Sequence, residues 1–219
     1  GVSLRAPACE FLRGMLDALH LPAAPIVGTS MGGLWAMSLA LANPERVSSL
    51  VLVGSPAGAV RQIPFMLRLG TLPGFRLIAR QMMARPTRAS VRQLWGNLLV
   101  AHAERLEDDF LDLCVASQIR NHADWLGLVD ATLNFFGMRP ELLLRPHWAR
   151  LQPPTTFVWG DRDAWASLEV AEAIVAAHPK IRLIRVPDAG HAPWFDDAPA
   201  VARALEAALP GTRTSAPAA

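Results

Sequence analysis

The chain has 219 residues, 52% of them hydrophobic and 18% charged, enough for one large domain with a sizeable core. Its formal net charge is only +2 and Lys180 is its one lysine, which argues against a nucleic-acid footprint. No apolar run reaches the roughly 18 residues of a membrane span, and Cys9 and Cys114 lack metal-ligand spacing, so they read as buried thiols of a reducing, cytoplasmic compartment.

In chain order, Phe11, Leu12, Met15, Leu16 and Leu19 recur at helical spacing over residues 7–20. Pro22 and Pro25 end that helix and lead into a short strand at Ile26-Val27. Gly28-Thr29-Ser30-Met31-Gly32 then has the G-x-S-x-G spacing of a sharp strand-to-helix turn with a serine at its apex. Gly28 and Gly32 are expected to keep side chains away where strand and helix nearly touch. A helix-forming run continues from Leu34 to Ala42, Asn43-Pro44 stops it, and Ser49–Val53 reads as a buried strand closed by Gly54-Ser55-Pro56. The unit is a right-handed βαβ element of a parallel sheet.

Residues 60–148 change character. They lack a strong strand pattern and read as a helical insertion, in which Leu106, Phe110, Leu113 and Ser117 share one face, with Leu113 and Cys114 at or near the core. Residues 61–92 hold seven arginines and no acid, whereas residues 104–130 hold seven acids and two arginines. Such a division suits either a basic face for an anionic ligand or lipid surface or, the preferred reading, two solvated helix faces that meet. The α/β alternation then resumes: a strand at Thr155–Trp159, a helix over 167–177, a half-exposed edge strand at Ile181–Val186 and a final helix over 198–209. A disordered tail is expected from Pro210.

Three polar groups follow strands of this pattern. Ser30 follows the first, Asp161 and Asp163 follow Val158-Trp159-Gly160, and His191 follows the last, in Gly190-His191-Ala192-Pro193. Ligand sites of open α/β sheets lie at that edge. A serine hydroxyl is a poor nucleophile without an adjacent base, and the base needs a carboxylate to hold its tautomer. Asp161 and Asp188 read as turn formers; His20, His102, His122, His147 and His178 have no motif around them.

With these motifs the chain resembles the α/β-hydrolase fold superfamily, in particular its lid-bearing, esterase-like members. The resemblance covers residues 1 to about 209. It implies a parallel sheet of about four strands with flanking helices, divided as a first core part (1–59), a helical lid (60–148) and a second core part (149–209), before a tail (210–219). It implies Ser30 as nucleophile, His191 as general base and acid, Asp163 as the acid that orients the histidine, and the Met31 backbone N–H as an oxyanion donor. Trp35, Trp165 and Trp194 lie close in sequence to these positions and are candidates for an apolar acyl pocket. The implied reaction is hydrolysis of a small apolar ester or related acyl compound through an acyl-enzyme, without cofactor or metal. Carbon–carbon bond hydrolysis and perhydrolase chemistry use the same residues; an inactive fragment or binding module is the reading from another class. The four strands and second oxyanion loop that normally precede the elbow find no match here, so the expectation is a chain lacking its N-terminal portion, with the elbow strand as an exposed edge.

Overall fold

The computed structural model describes residues 5–209. In chain order these form α1 (Arg5–Ala18), β1 (Ala24–Thr29), α2 (Ser30–Ala42), β2 (Val47–Val53), α3 (Phe65–Leu69), α4 (Pro73–Ala84), α5 (Arg88–Leu98), α6 (Asp108–Thr132), β3 (Leu133–Asn134), β4 (Gly137–Met138), β5 (Thr155–Gly160), α7 (Leu168–Ala177), β6 (Ile181–Val186), α8 (Pro193–Asp196) and α9 (Ala198–Ala208). The tail expected from Pro210 lies outside the described residues.

The main sheet is parallel, with strand order β1-β2-β5-β6. Its register aligns the C-terminal ends: Thr29 pairs with Val53, Val53 with Val158, and Gly160 with Val186. All four strands therefore deliver their following loops to one edge. Strand β2 is buried almost throughout, and its alternation divides the core between the two faces of the sheet. Leu50 and Leu52 join Phe157, Trp159 and residues of α2 such as Leu34, Met37 and Leu39. Val51 and Val53 join Val158, Val186 and, from α9, Val201 and Ala204. Among the described residues β1 pairs with β2 alone, and its Val27 is exposed.

Local sequence explains several boundaries. Thr87 and Ser90 form a reciprocal capping box that starts α5, and the Asp197 carboxylate caps α9 by accepting from the Ala200 N–H at 2.8 Å. The Gly28 prediction is met in a specific way: a Cβ there would stand 2.7 Å from the Gly32 carbonyl oxygen. Gly32 itself faces open space, contrary to expectation, and the second tight contact falls at Gly33, whose Cβ would meet Pro56 at 2.9 Å. The loop after β2 packs against the start of α2, with the Ala57 N–H donating to the Ser30 carbonyl at 2.9 Å, so it is the third position of that turn that must stay small.

Residues 60–148 are mainly helical, with two departures. A hairpin of two residues per strand, β3–β4, closes the segment, and the Met138 N–H donates to the Arg61 carbonyl at 2.8 Å. The segment is also continuous with the core at both ends, since Ile63, Leu142, Leu144 and Trp148 pack in the same cluster as Leu52 and Phe157. Leu113 is 70% exposed and Leu111 is fully buried instead. The helix begins only at Asp108, so Leu106 lies outside it and its phase does not carry through to Leu113. Cys9 and Cys114 are half-buried free thiols, not buried ones.

Candidate active site

The first backbone element to consider is the turn at Ser30. It has φ of +50°, one of three non-glycine residues with positive φ among those described, and it opens α2 directly from the end of β1. A serine in that region is strained, and the close approach of Gly28 to the next turn is what holds it there. Met31 follows in the first helical turn, where backbone N–H groups lack intrahelical partners and point outward at the positive end of the helix.

Asp163 and His191 form the second part. The imidazole Nδ1 stands 2.9 Å from Asp163 Oδ2, and both side chains are buried. The same carboxylate accepts from the Ser55 N–H at 2.8 Å and the Trp165 N–H at 2.8 Å. Burial pushes the Asp163 carboxyl upward. The hydrogen bond and charge of His191, with the Ser55 and Trp165 peptide N–H groups, outweigh that and hold it below the usual carboxylate range. An ionised carboxylate at Nδ1 makes that nitrogen the donor and leaves Nε2 as the acceptor. Nε2 is buried and has no hydrogen-bond partner in the protein. Asp161 is the turn former of the pair, as its Oδ1 accepts from the Asp188 N–H at 2.8 Å.

Ser30, Met31, Ser55, Trp165 and His191 line one cavity of about 420 Å³. Its opposite wall comes from α4, α5 and α6, through Met83, Trp95, Leu98 and Trp125, with Ser117, Gln118 and Asn121 as neutral hydrogen-bonding groups. Among the described residues, no hydrogen bond joins Ser30 to His191; the two share the cavity, while Nδ1 is taken by Asp163 and by Ser55 Oγ at 3.2 Å. Of the three candidate tryptophans, only Trp165 lines the cavity; its ring lies 5.5 Å from the imidazole and its Nε1–H donates to the Leu98 carbonyl at 2.8 Å. Trp35 and Trp194 are each 36% exposed and line no part of it. Trp35 lies five helical steps from Ser30, which turns it about 140° away from the serine. Trp194 is displaced outward because its neighbour Phe195 takes the inward position, packing on Trp95 and Phe110.

Two residues with no motif around them hold the site together. Ser55 supplies the N–H to Asp163 and an Oγ to the imidazole; the signal for it was its position just beyond β2, at the same sheet edge as the others. Asp196 accepts from the Gly190 N–H at 2.8 Å, from Ala101 N–H at 3.1 Å and from His102 N–H at 3.0 Å, while the Ala192 N–H donates to the Leu99 carbonyl at 2.6 Å. The histidine turn is thereby clamped to the segment that follows α5. His102 adds a further link, with Nε2 at 2.7 Å from Asp188, whose hydrogen bond raises the imidazole pKa. No local pattern marks Asp196, because two of its three partners, Ala101 and His102, are distant in sequence. Among the described residues, no group of three or more His, Cys, Asp or Glu side chains could hold a metal ion.

The sequence profile of the alpha/beta hydrolase fold matches residues 6–198. The chain belongs to the α/β-hydrolase fold family. Among curated α/β-hydrolase relatives, a 2-hydroxy-6-oxononadienedioate/2-hydroxy-6-oxononatrienedioate hydrolase of Paraburkholderia xenovorans (strain LB400) is 30% identical over 190 residues, covering 84% of this chain and 61% of that protein. A pimeloyl-[acyl-carrier protein] methyl ester esterase of Aromatoleum aromaticum (strain DSM 19018 / LMG 30748 / EbN1) is 30% identical over 223 residues, covering 89% of this chain and 77% of that one. The solved 2-hydroxy-6-oxo-6-phenylhexa-2,4-dienoate hydrolase of Rhodococcus sp. strain RHA1 shares the fold with a TM-score of 0.68 at 21% identity, over 91% of this chain and 68% of that one. The chain spans about three fifths of the length of the first of these relatives. Among the described residues, no helix is long and apolar enough to cross a membrane.

Proposed function

We propose that this α/β-hydrolase chain carries a serine hydrolase site that cleaves an uncharged ester or related acyl compound through an acyl-enzyme. The observation that carries the reading is the buried Asp163–His191 pair, whose histidine keeps Nε2 without a partner and lines the same apolar cavity as the strained Ser30. In this reading Ser30 Oγ attacks the acyl carbon while His191 Nε2 takes the hydroxyl proton. The tetrahedral oxyanion is held by the Met31 N–H at the start of α2. Its collapse breaks the bond to the leaving group, which receives the proton from His191; water then repeats the sequence and frees Ser30. Asp163 keeps the imidazole in the required tautomer and stabilises its protonated form. Trp165 shapes the acyl pocket, and helices α3 to α6 act as a lid that sets which acyl groups enter.

An uncharged substrate is favoured because the cavity wall is largely apolar and, among the described residues, no Asp, Glu, Lys or Arg lines it; its polar members include Ser117, Gln118, Asn121 and His122. The second reading, carbon–carbon bond hydrolysis of a dienone acid by the same three residues, draws on the 30% identity to the Paraburkholderia hydrolase. Parallel assays separate the two. Hydrolysis of p-nitrophenyl butyrate by the purified chain, lost in Ser30→Ala, supports the ester reading. Turnover of a 2-hydroxy-6-oxo-dienedioate with no ester hydrolysis supports the second. A folded chain inert toward both overturns the proposed chemistry.

A further inference from the structure

Helix α4 has two apolar sides. One reaches the cavity through Met83 and is tied to α6, where Arg76 pairs with Asp130 and Gln118 Nε2 donates to the Met83 carbonyl at 3.3 Å. The other carries Phe75, Ile78 and Met82 at i, i+3, i+7 spacing and faces solvent, with Ile78 55% and Met82 69% exposed. A surface helix ordinarily places polar residues on that side.

The ridge continues beyond α4. The Arg76–Asp130 pair sets the first turn of α4 beside the end of α6, from which the chain enters the β3–β4 hairpin. At the hairpin tip Phe136 is 67% exposed. Arg68 of α3 donates to the Phe135 carbonyl at 2.9 Å, and its guanidinium lies over both the Phe65 and Phe135 rings, at 5.7 Å and 5.6 Å. Phe65 and Met66 are exposed on the same short helix. Helix α3, the outer side of α4 and the hairpin tip thus present linked apolar groups, an uncommon feature for a surface with no partner.

The charges carried by the α3–α4 segment itself have one sign. Between residues 61 and 92 every ionisable side chain is an arginine. Arg76, Arg88 and Arg92 are engaged by Asp130, Asp108 and Asp112 of α6. Arg80 on α4 and Arg85 at its C-terminus are exposed and make no ion pair among the described residues. Apolar groups on a helix ridge and a turn tip, with Arg68 over the Phe65 and Phe135 rings and the exposed Arg85 at the end of the ridge, match a bilayer interface, where acyl chains receive the side chains and headgroup phosphates receive the guanidinium groups; Arg80 lies on the other flank of α4. A protein partner would more often meet a groove or a flat patch than a protruding tip.

We infer that α3, the outer side of α4 and the β3–β4 tip dock the protein on an anionic lipid surface, with the helical wall of the cavity next to the bilayer. The docking stands independently of the proposed chemistry. Co-sedimentation with vesicles tests it. The chain pellets with vesicles of phosphatidylcholine mixed with phosphatidylglycerol, pellets far less with phosphatidylcholine alone, and is released as salt rises. The variant Arg85→Glu weakens binding by at least about fivefold. The variant Ile78→Ser, Met82→Ser and Phe136→Ser weakens binding to both vesicle types with no loss of melting temperature, because these groups are already in solvent. If one variant fails to fold, the other carries the test. Equal pelleting with both lipids, or binding indifferent to both variants, overturns the inference. So does a lipid-free dimer that the Ile78→Ser, Met82→Ser and Phe136→Ser variant dissociates, since the surface is then a contact between copies.

Discussion

Strands β2 and β5 bury nearly every side chain they carry, whereas α4 and α6 leave Ile78, Met82, Leu113 and Ile119 in solvent. The sheet sets its four loops by backbone register and dense packing, so Ser30, Ser55, Asp163 and His191 arrive at one edge with little freedom. The helical segment is held differently, by a small number of buried residues such as Leu111 and Val91, with exposed ion pairs such as Arg88 with Asp108 and Arg92 with Asp108 lying across its surface. In the proposed reading, chemistry that needs sub-ångström placement is assigned to the first region and selection of the acyl group to the second. The polar links between the two regions, through Asp196 and Trp165, are where perturbation separates them.

The largest effect is expected within the sheet-borne pair. Asp163→Asn keeps the size of the side chain but removes the charge that holds the tautomer, and turnover should fall about 10⁴-fold. The same variant tests the acid behaviour of the fold. The folded-state pKa of Asp163 lies below its unfolded value, so the unfolded chain binds more protons between the two. The carboxylate's contribution to stability is therefore complete above the ordinary value of about 3.9 and is lost as pH falls through the lower folded value. Thermal melts taken downward from pH 5 should lose this limb in Asp163→Asn. An unchanged limb would show that the pair does not couple to folding.

Next come the links between regions. Asp196→Ala releases three backbone N–H groups and frees the histidine turn from the segment after α5. Turnover should drop about 10²-fold, the scale of a catalytic group displaced by about an ångström, with KM little changed. A parallel rise in KM would make Asp196 a pocket residue instead. Trp165→Phe keeps a ring beside the imidazole and deletes the indole bond to the Leu98 carbonyl. It should cost about 1 kcal/mol of stability by urea denaturation, and turnover only a few-fold. The smallest effect belongs to the helical region alone. Arg88→Ala breaks exposed pairs with Asp108 and Asp112 and should leave melting temperature and turnover as they were. A clear destabilisation there would mean that the ion pairs, not the buried residues, hold the helices in place.

The same contrast explains what could be read in the chain before its fold was known. The elbow spacing, the strands and the order Ser30, Asp163, His191 rest on local sterics and period-2 burial, and these leave marks within a few residues. The identity of the small residue that faces Pro56 does not: Gly33, not Gly32, takes that contact because the loop carrying Pro56, 23 residues onward, folds back on it. Leu113 reads as core only if the helix is extended back to Leu106, and it is not. Trp35 and Trp194 lie beside the motifs in sequence and turn away in space, while Trp95 and Trp125 reach the cavity from the other wall. Asp196 is silent for the same reason: its role comes from joining the nearby Gly190 peptide to the distant Ala101 and His102 peptides.

The most direct test of the proposed site is the covalent one. The purified, folded chain is incubated with a fluorophosphonate and digested, and the modified peptide is mapped by mass spectrometry. A single adduct on Ser30, lost in His191→Ala, is the predicted result. Modification at Ser55 or elsewhere, or none in a chain that melts cooperatively, would contradict it.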